Sequence, residues 1–283
     1  MSTDVSSATG APIVGAATFK TELSIWLQAM DTRLEEGYAE RVAPLAQVVL
    51  TRFPHHLSSY QRLLQAAWQL KRWQEGEEWG RRLLQADPGN PLAWRALAYA
   101  DEQRRLRASA NALWLRAFES SPYDPEIRSG LHRTSLDPAN ALMLDGACLA
   151  ALYFRGCRWQ YAAAAYRALM SADPRRSDFP LFLAVSLWQL NAKPEAYRIA
   201  RDLTAQHPHM LMAWVVVNAL GDVDDRALAR NPLASLDPDG DFVRNWLGLP
   251  YEGRKSSFDV TEREAALLPE RFGELANQAQ GVL

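Results

Sequence analysis

The sequence predicts an all-α protein, a superhelix of stacked helix pairs (an α-solenoid) closed by an irregular C-terminal cap. Three observations carry this. Five prolines placed to end helices, Pro54, Pro88, Pro122, Pro174 and Pro208, are separated by 34, 34, 52 and 34 residues, and a fixed period of this size marks stacked supersecondary units. Residues suited to close helix crossings recur with the same period. Gly76, Ala110, Ala162 and Ala196 share one small place in the unit, while Trp26, Tyr60 and Trp94 share a bulky one. Finally, few stretches alternate apolar and polar residues, and runs such as Val215, Val216 and Val217 lie inside helical spacing.

The residues around the prolines bear a family likeness. Trp73, Gly76, Leu83, Leu84, Ala86, Asp87, Pro88, Gly89 and Asn90, followed by Trp94, Leu97 and Ala98 and then by Ala110, Trp114, Ala117 and Pro122, resemble the tetratricopeptide (TPR) repeat. The resemblance covers roughly residues 19–220. It implies a helix–turn–helix unit, a concave groove lined by the first helix of each unit, and recognition of a protein or peptide.

Taken in order, residues 1–18 are rich in Ser, Thr, Ala and Gly and read as a disordered lead, with neither the basic start nor the apolar stretch of a signal peptide. Residues 19–122 form a first array of three repeats. The 52-residue interval exceeds one period by half a unit, so residues 123–140 read as an irregular half-repeat containing a single short helix, with a change of superhelix direction. Residues 141–220 form a second array. After Gly221 the period is lost, and residues 221–283 read as a non-repeat cap, since a terminal repeat needs its last apolar face covered. Two short closing helices are expected at 262–268 and 269–280.

Composition narrows the function. A net charge of −2 argues against a general nucleic-acid binder, because phosphate contacts need a basic surface. No apolar run reaches the roughly 18 residues of a membrane-spanning helix, which with two cysteines predicts a cytoplasmic protein with reduced thiols. The histidines at 55, 56, 132, 207 and 209 lack the spacing of zinc ligands, and Asp237-Pro238-Asp239-Gly240-Asp241 departs from a calcium loop at its glycine and its final glutamate. Neither a phosphate-cradling glycine loop nor a Gly-x-Ser-x-Gly turn is present. The chain is therefore read as non-catalytic, with no cofactor and no metal.

Carried onto this sequence, the TPR resemblance implies that the first array presents Gln61, Gln65, Trp68, Arg95 and Tyr99 to a partner. The second array presents Phe154, Leu181, Val185 and Trp188, a far more apolar set. Glutamines and an arginine can hydrogen-bond an extended backbone beside aromatic area. The chaperone-cofactor subclass, which grips a terminal carboxylate with Lys and Asn, is set aside because Leu27, Asp31, Gln65 and Tyr99 stand at those places and only Arg95 keeps a positive charge. Two functional classes follow: an adaptor or scaffold binding a partner peptide or helix, and a structural subunit that self-associates or docks into a larger machine, such as a secretion assembly, through the second array. The apolar second groove raises a further expectation, that residues 242–249 or the helix after Glu262 fold back into it.

Overall fold

A computed structural model describes residues 18–248, 255–269 and Phe272. The fold is an all-α helical repeat with one short β-ribbon. The expected lead at 1–17, Leu249 and nearly all of the second closing helix lie outside the described residues.

Helices pair along the chain: α1 (Leu23–Glu35) with α2 (Val42–Arg52), α3 (Leu57–Gln69) with α4 (Trp73–Ala86), and α5 (Pro91–Gln103) with α6 (Arg107–Ser120). A single helix, α7 (Pro125–Thr134), packs on α5 and α6. There follow α8 (Gly146–Arg155) with α9 (Trp159–Ala172) and α10 (Asp178–Gln189) with α11 (Lys193–Gln206).

The turn inside each pair has one design. Lys71, Arg105, Cys157 and Asn191 adopt left-handed φ angles of 57°, 60°, 54° and 61° directly after the first helix. The next residue's N–H then reaches back into that helix, as from Arg72 to Ala67 and from Arg158 to Tyr153, at 2.8 Å each. This closes the last orphan carbonyls of the helix in a Schellman arrangement. A proline one residue past the cap then stops the second helix, at Asp87-Pro88, Ser121-Pro122, Asp173-Pro174 and His207-Pro208, because proline disfavours helical backbone at the residue before it.

Past Gly221 the chain departs from the sequence reading. Helix α12 (Leu211–Leu220) pairs with α13 (Val223–Leu236), which ends at Asp237-Pro238. The pair escapes a search for the 34-residue period because its turn is shorter: Gly221 passes directly to Asp222, whose side chain caps α13 in a capping box with Asp225. A side chain at Gly221 would lie 2.5 Å from Asp225 Cβ. Helix α14 (Asp241–Leu247) follows.

Strand β1 (Thr18–Glu22) runs antiparallel to β2 (Ser257–Thr261), pairing Phe19 with Val260 and Thr21 with Phe258. Phe258 and Val260 face inward, and the Phe258 ring packs 5.8 Å from both Trp26 and Phe53. The ribbon covers an apolar face of the first pair, through Phe258 against Trp26 and Phe53. A short helix, α15 (Glu262–Ala265), completes the closure through a two-bonded ion pair between Arg52 and Glu264.

The array also bends back on itself. Turns between successive pairs in the first half meet those of the second: Glu119, at the end of α6, pairs with Arg176 after α9 at 2.7 Å, and the His55 and His209 rings lie 6.3 Å apart. Gly89 sits against Phe182, where a Cβ would come within 2.6 Å of the ring.

Candidate functional site

The bend encloses a central cavity of about 410 Å³ between the two halves, walled by Gln61 from α3, Phe154 from α8, Phe182 from α10 and Trp246 from α14. Helix α14 enters this space from the C-terminal side. Trp246 stacks on Phe182 with centroids 5.5 Å apart and planes inclined by 11°, and meets Phe154 edge-on at 5.5 Å. Phe242 and Val243 are buried beside it. Residues 242–248 thus line the cavity between the halves and reach Phe154 of the second array, whereas α15 lies at the opposite end, on α2.

Charged groups line the rest of the cavity, and all but Arg155 are held by hydrogen bonds or ion pairs among the described residues. Burial raises the Asp87 carboxyl against hydrogen bonds from Trp246, Asn90 and the Gly89 N–H. Glu119 is also raised by burial, opposed by Arg176, and Arg176 clasps both Glu119 and Asp178. Tyr166 is raised by burial as well. Arg155 makes no ion pair among the described residues, and burial lowers its pKa. Glu119, Arg176 and Asp178 thus form an ion-pair network, while Asp87 is held by hydrogen bonds. The one buried thiol, Cys148, is pushed by burial up to about 12, far from the thiolate that chemistry would need.

The predicted recognition residues fall into three groups. Gln61 and Gln65, one turn apart on α3, are half-buried, and their amides have no hydrogen-bond partner among the described residues. Trp68, Arg95 and Tyr99 form one continuous shelf: the Arg95 guanidinium lies 4.0 Å from the Trp68 ring centroid, and Tyr99 packs edge-on against Trp68 at 5.5 Å. Arg95 is anchored by Glu126 at 2.7 Å, while its Nε is a buried donor with no acceptor.

Second-array residues behave differently. Phe154 is part of the central aromatic cluster and Trp188 is half-buried against the core. Leu181 and Val185 are completely buried. Helix α12 packs across α10, so these two side chains face protein and offer nothing to a partner. The open apolar groove expected there does not exist in this structure.

Two contributors are not evident from the sequence. The first is Trp73, named above only among the residues of the family likeness, which lies 4.2 Å from Tyr99 and extends the shelf. The second, away from the cavity, brings His56 from the turn before α3 together with Asp237 and Asp239 from the turn before α14, all buried.

No family model matches this chain, and no curated protein matches it. Among solved structures, it is similar to PilF of Pseudomonas aeruginosa, at 15% identity and a TM-score of 0.34, covering 80% of this chain and 96% of that one. It is also similar to PilW, described as a widely conserved type IV pilus biogenesis factor, at 13% identity and a TM-score of 0.33, covering 79% and 97%. A third similarity is to the Naa15/Naa10 complex bound to HypK-THB, at 12% identity and a TM-score of 0.30, covering 91% of this chain and 46% of that one. No helix among the described residues is long and apolar enough to cross a membrane.

Proposed function

We propose that this chain is a non-catalytic cytoplasmic scaffold that binds an extended peptide or helix of a partner protein along α3 and α5, from the cavity mouth at Gln61 to Tyr99. The observation that carries this reading is the pairing of a buried donor that has no acceptor with a rigid aromatic shelf. The orphan Nε of Arg95 belongs to a guanidinium that lies over Trp68, with Tyr99 and Trp73 beyond it, and the half-buried Gln65 and Gln61 stand one and two turns before Trp68 on α3. Buried donors are ordinarily satisfied, and Trp, Tyr and Arg are the residue types that dominate binding energy at interfaces. With the second groove filled by α12 and α14, recognition falls to the first array. Selection from a displayed library of random peptides tests this: sequences should be enriched on the wild-type chain and not on a Gln65→Ala, Tyr99→Ala variant that keeps its helical spectrum. Equal enrichment on both would remove the surface from consideration.

A second reading rests on a different surface. Leu136, Met143 and Tyr161 are 92%, 68% and 62% exposed, and Tyr161 packs on the exposed Tyr153 at 5.4 Å. Apolar area gathered at the α7–α8 connection and on the α8–α9 pair suits docking into a larger assembly or self-association. The solution mass across a range of concentrations separates the two readings.

A further inference from the structure

We propose that His56, Asp237 and Asp239 form a divalent-cation site that fastens the turn before α3 to the turn before α14, and so holds the array closed. The three side chains each bring one ligand atom to within 4.8 Å of the others, and all are buried.

The imidazole supplies the independent sign of a ligand. His56 is 0% exposed, and its Nε2 has no hydrogen-bond partner. Its nearest acceptor, Asp239 Oδ1, stands at 3.7 Å, beyond a hydrogen bond. At the other edge of the ring, Nδ1 is held by Ser59 Oγ at 2.8 Å. With Nδ1 as donor, Nε2 carries its lone pair toward the two carboxylates, the arrangement by which a second partner fixes the tautomer and aim of a metal-binding histidine.

Charge points the same way. Asp237 accepts the N–H groups of Phe242 at 3.0 Å and Val243 at 2.9 Å and makes no ion pair among the described residues. Asp239 accepts the Asp241 N–H at 3.3 Å. The neighbouring Asp241 is already matched by Ser58 and Arg62, which leaves two buried carboxylates facing a single imidazole. Buried charge calls for a partner or a metal. One nitrogen and two carboxylate oxygens, with water as fourth ligand, suit Zn²⁺. Ca²⁺ takes six to eight oxygens and fits poorly. Bonds of about 2.0–2.2 Å require the ligand atoms to draw together by side-chain rotation. Because the ligands come from opposite ends of the chain, their spacing along the sequence gives no sign of the site, and binding is coupled to closure.

The test uses the full chain, stripped with chelator and dialysed against Zn²⁺, with metal content measured per chain. A His55→Ala, His209→Ala background removes the exposed histidine pair at 6.3 Å. The expected result is one equivalent of Zn²⁺ and a rise in melting temperature that Ca²⁺ does not reproduce, with Asp239→Asn or His56→Ala weakening binding at least tenfold. Co²⁺ substitution offers a readout that needs no ligand variant: wild type should give the intense visible bands of a four-coordinate ion. No bound metal in that background, unchanged binding in folded Asp239→Asn, or melting indifferent to Zn²⁺ but lowered by His56→Ala would overturn the site, the last in favour of a direct imidazolium–carboxylate contact.

Discussion

Phe182 of α10 and Trp246 of α14 stack face to face, 5.5 Å apart and 11° from parallel, with Gly89 of the first array against the Phe182 ring at Cζ and Cε2. One aromatic pair thereby joins both halves of the array to the C-terminal segment. Truncating Trp246→Ala should uncover Phe154 and Phe182, raise hydrophobic-dye binding, and lower unfolding free energy by about 3 kcal/mol. Gly89→Ala should weaken the same junction by about 1–3 kcal/mol, since its Cβ would arrive 2.6 Å from the ring. Chemical denaturation with a dye titration checks both.

The closing ribbon should be acid-sensitive. Arg52 donates two hydrogen bonds to Glu264, at 2.6 and 2.9 Å, and with help from the Thr261 N–H holds that carboxyl at about 2. The value lies below the roughly 4.3 of an unfolded glutamate. The pair therefore stabilises fully above that unfolded value, and its contribution is lost as pH falls from there toward 2. Melting curves at pH 6 and pH 3 should show a smaller difference between wild type and Arg52→Gln at the lower pH.

The left-handed turns predict stabilising substitutions. Arg105 sits at φ 60° and is exposed, with no side-chain contact among the described residues. Since a side chain in this conformation costs about 1–2 kcal/mol, and glycine returns part of that gain as chain entropy, Arg105→Gly should raise stability by roughly 0.5–1 kcal/mol. Equilibrium denaturation is sufficient to see it.

Gly130 of α7 is where that lone helix meets the first array. A Cβ there would stand 2.3 Å from the Trp114 indole, which is itself buried. Gly130→Ala should cost about 1–3 kcal/mol by overpacking. A variant as stable as wild type would show that α7 can shift away from α6 without loss.

How much of this is legible in the sequence depends on the range of the signal. Helix ends are local: α4 stops at Ala86 because Asp87-Pro88 follows, and α5 starts at Pro91 because Asn90 caps it. The ribbon is not, since Phe258 and Val260 alternate over only five residues and their partner strand lies at the other end of the chain. Helix α13 is hidden by the short turn at Gly221-Asp222, which sets Pro238 only 30 residues after Pro208. Among the candidate residues, Gln65, Trp68, Arg95 and Tyr99 come from the family resemblance carried onto α3 and α5, the first helices of adjacent pairs, which lie in contact here. Leu181 and Val185 show the limit of that reasoning: the resemblance implies which face of α10 they occupy, but the burial of that face under α12 is a tertiary fact.

The most direct test is calorimetric titration of a library-selected peptide into the wild-type chain and into Gln61→Ala, Gln65→Ala and Tyr99→Ala variants, with Tyr161→Ala as a distant control. The account predicts affinity at least tenfold weaker for Tyr99→Ala, smaller losses of about 1 kcal/mol for each glutamine, and no change for Tyr161→Ala. Undiminished affinity in the α3 and α5 variants together with loss in Tyr161→Ala would contradict it and place binding on the α8–α9 surface.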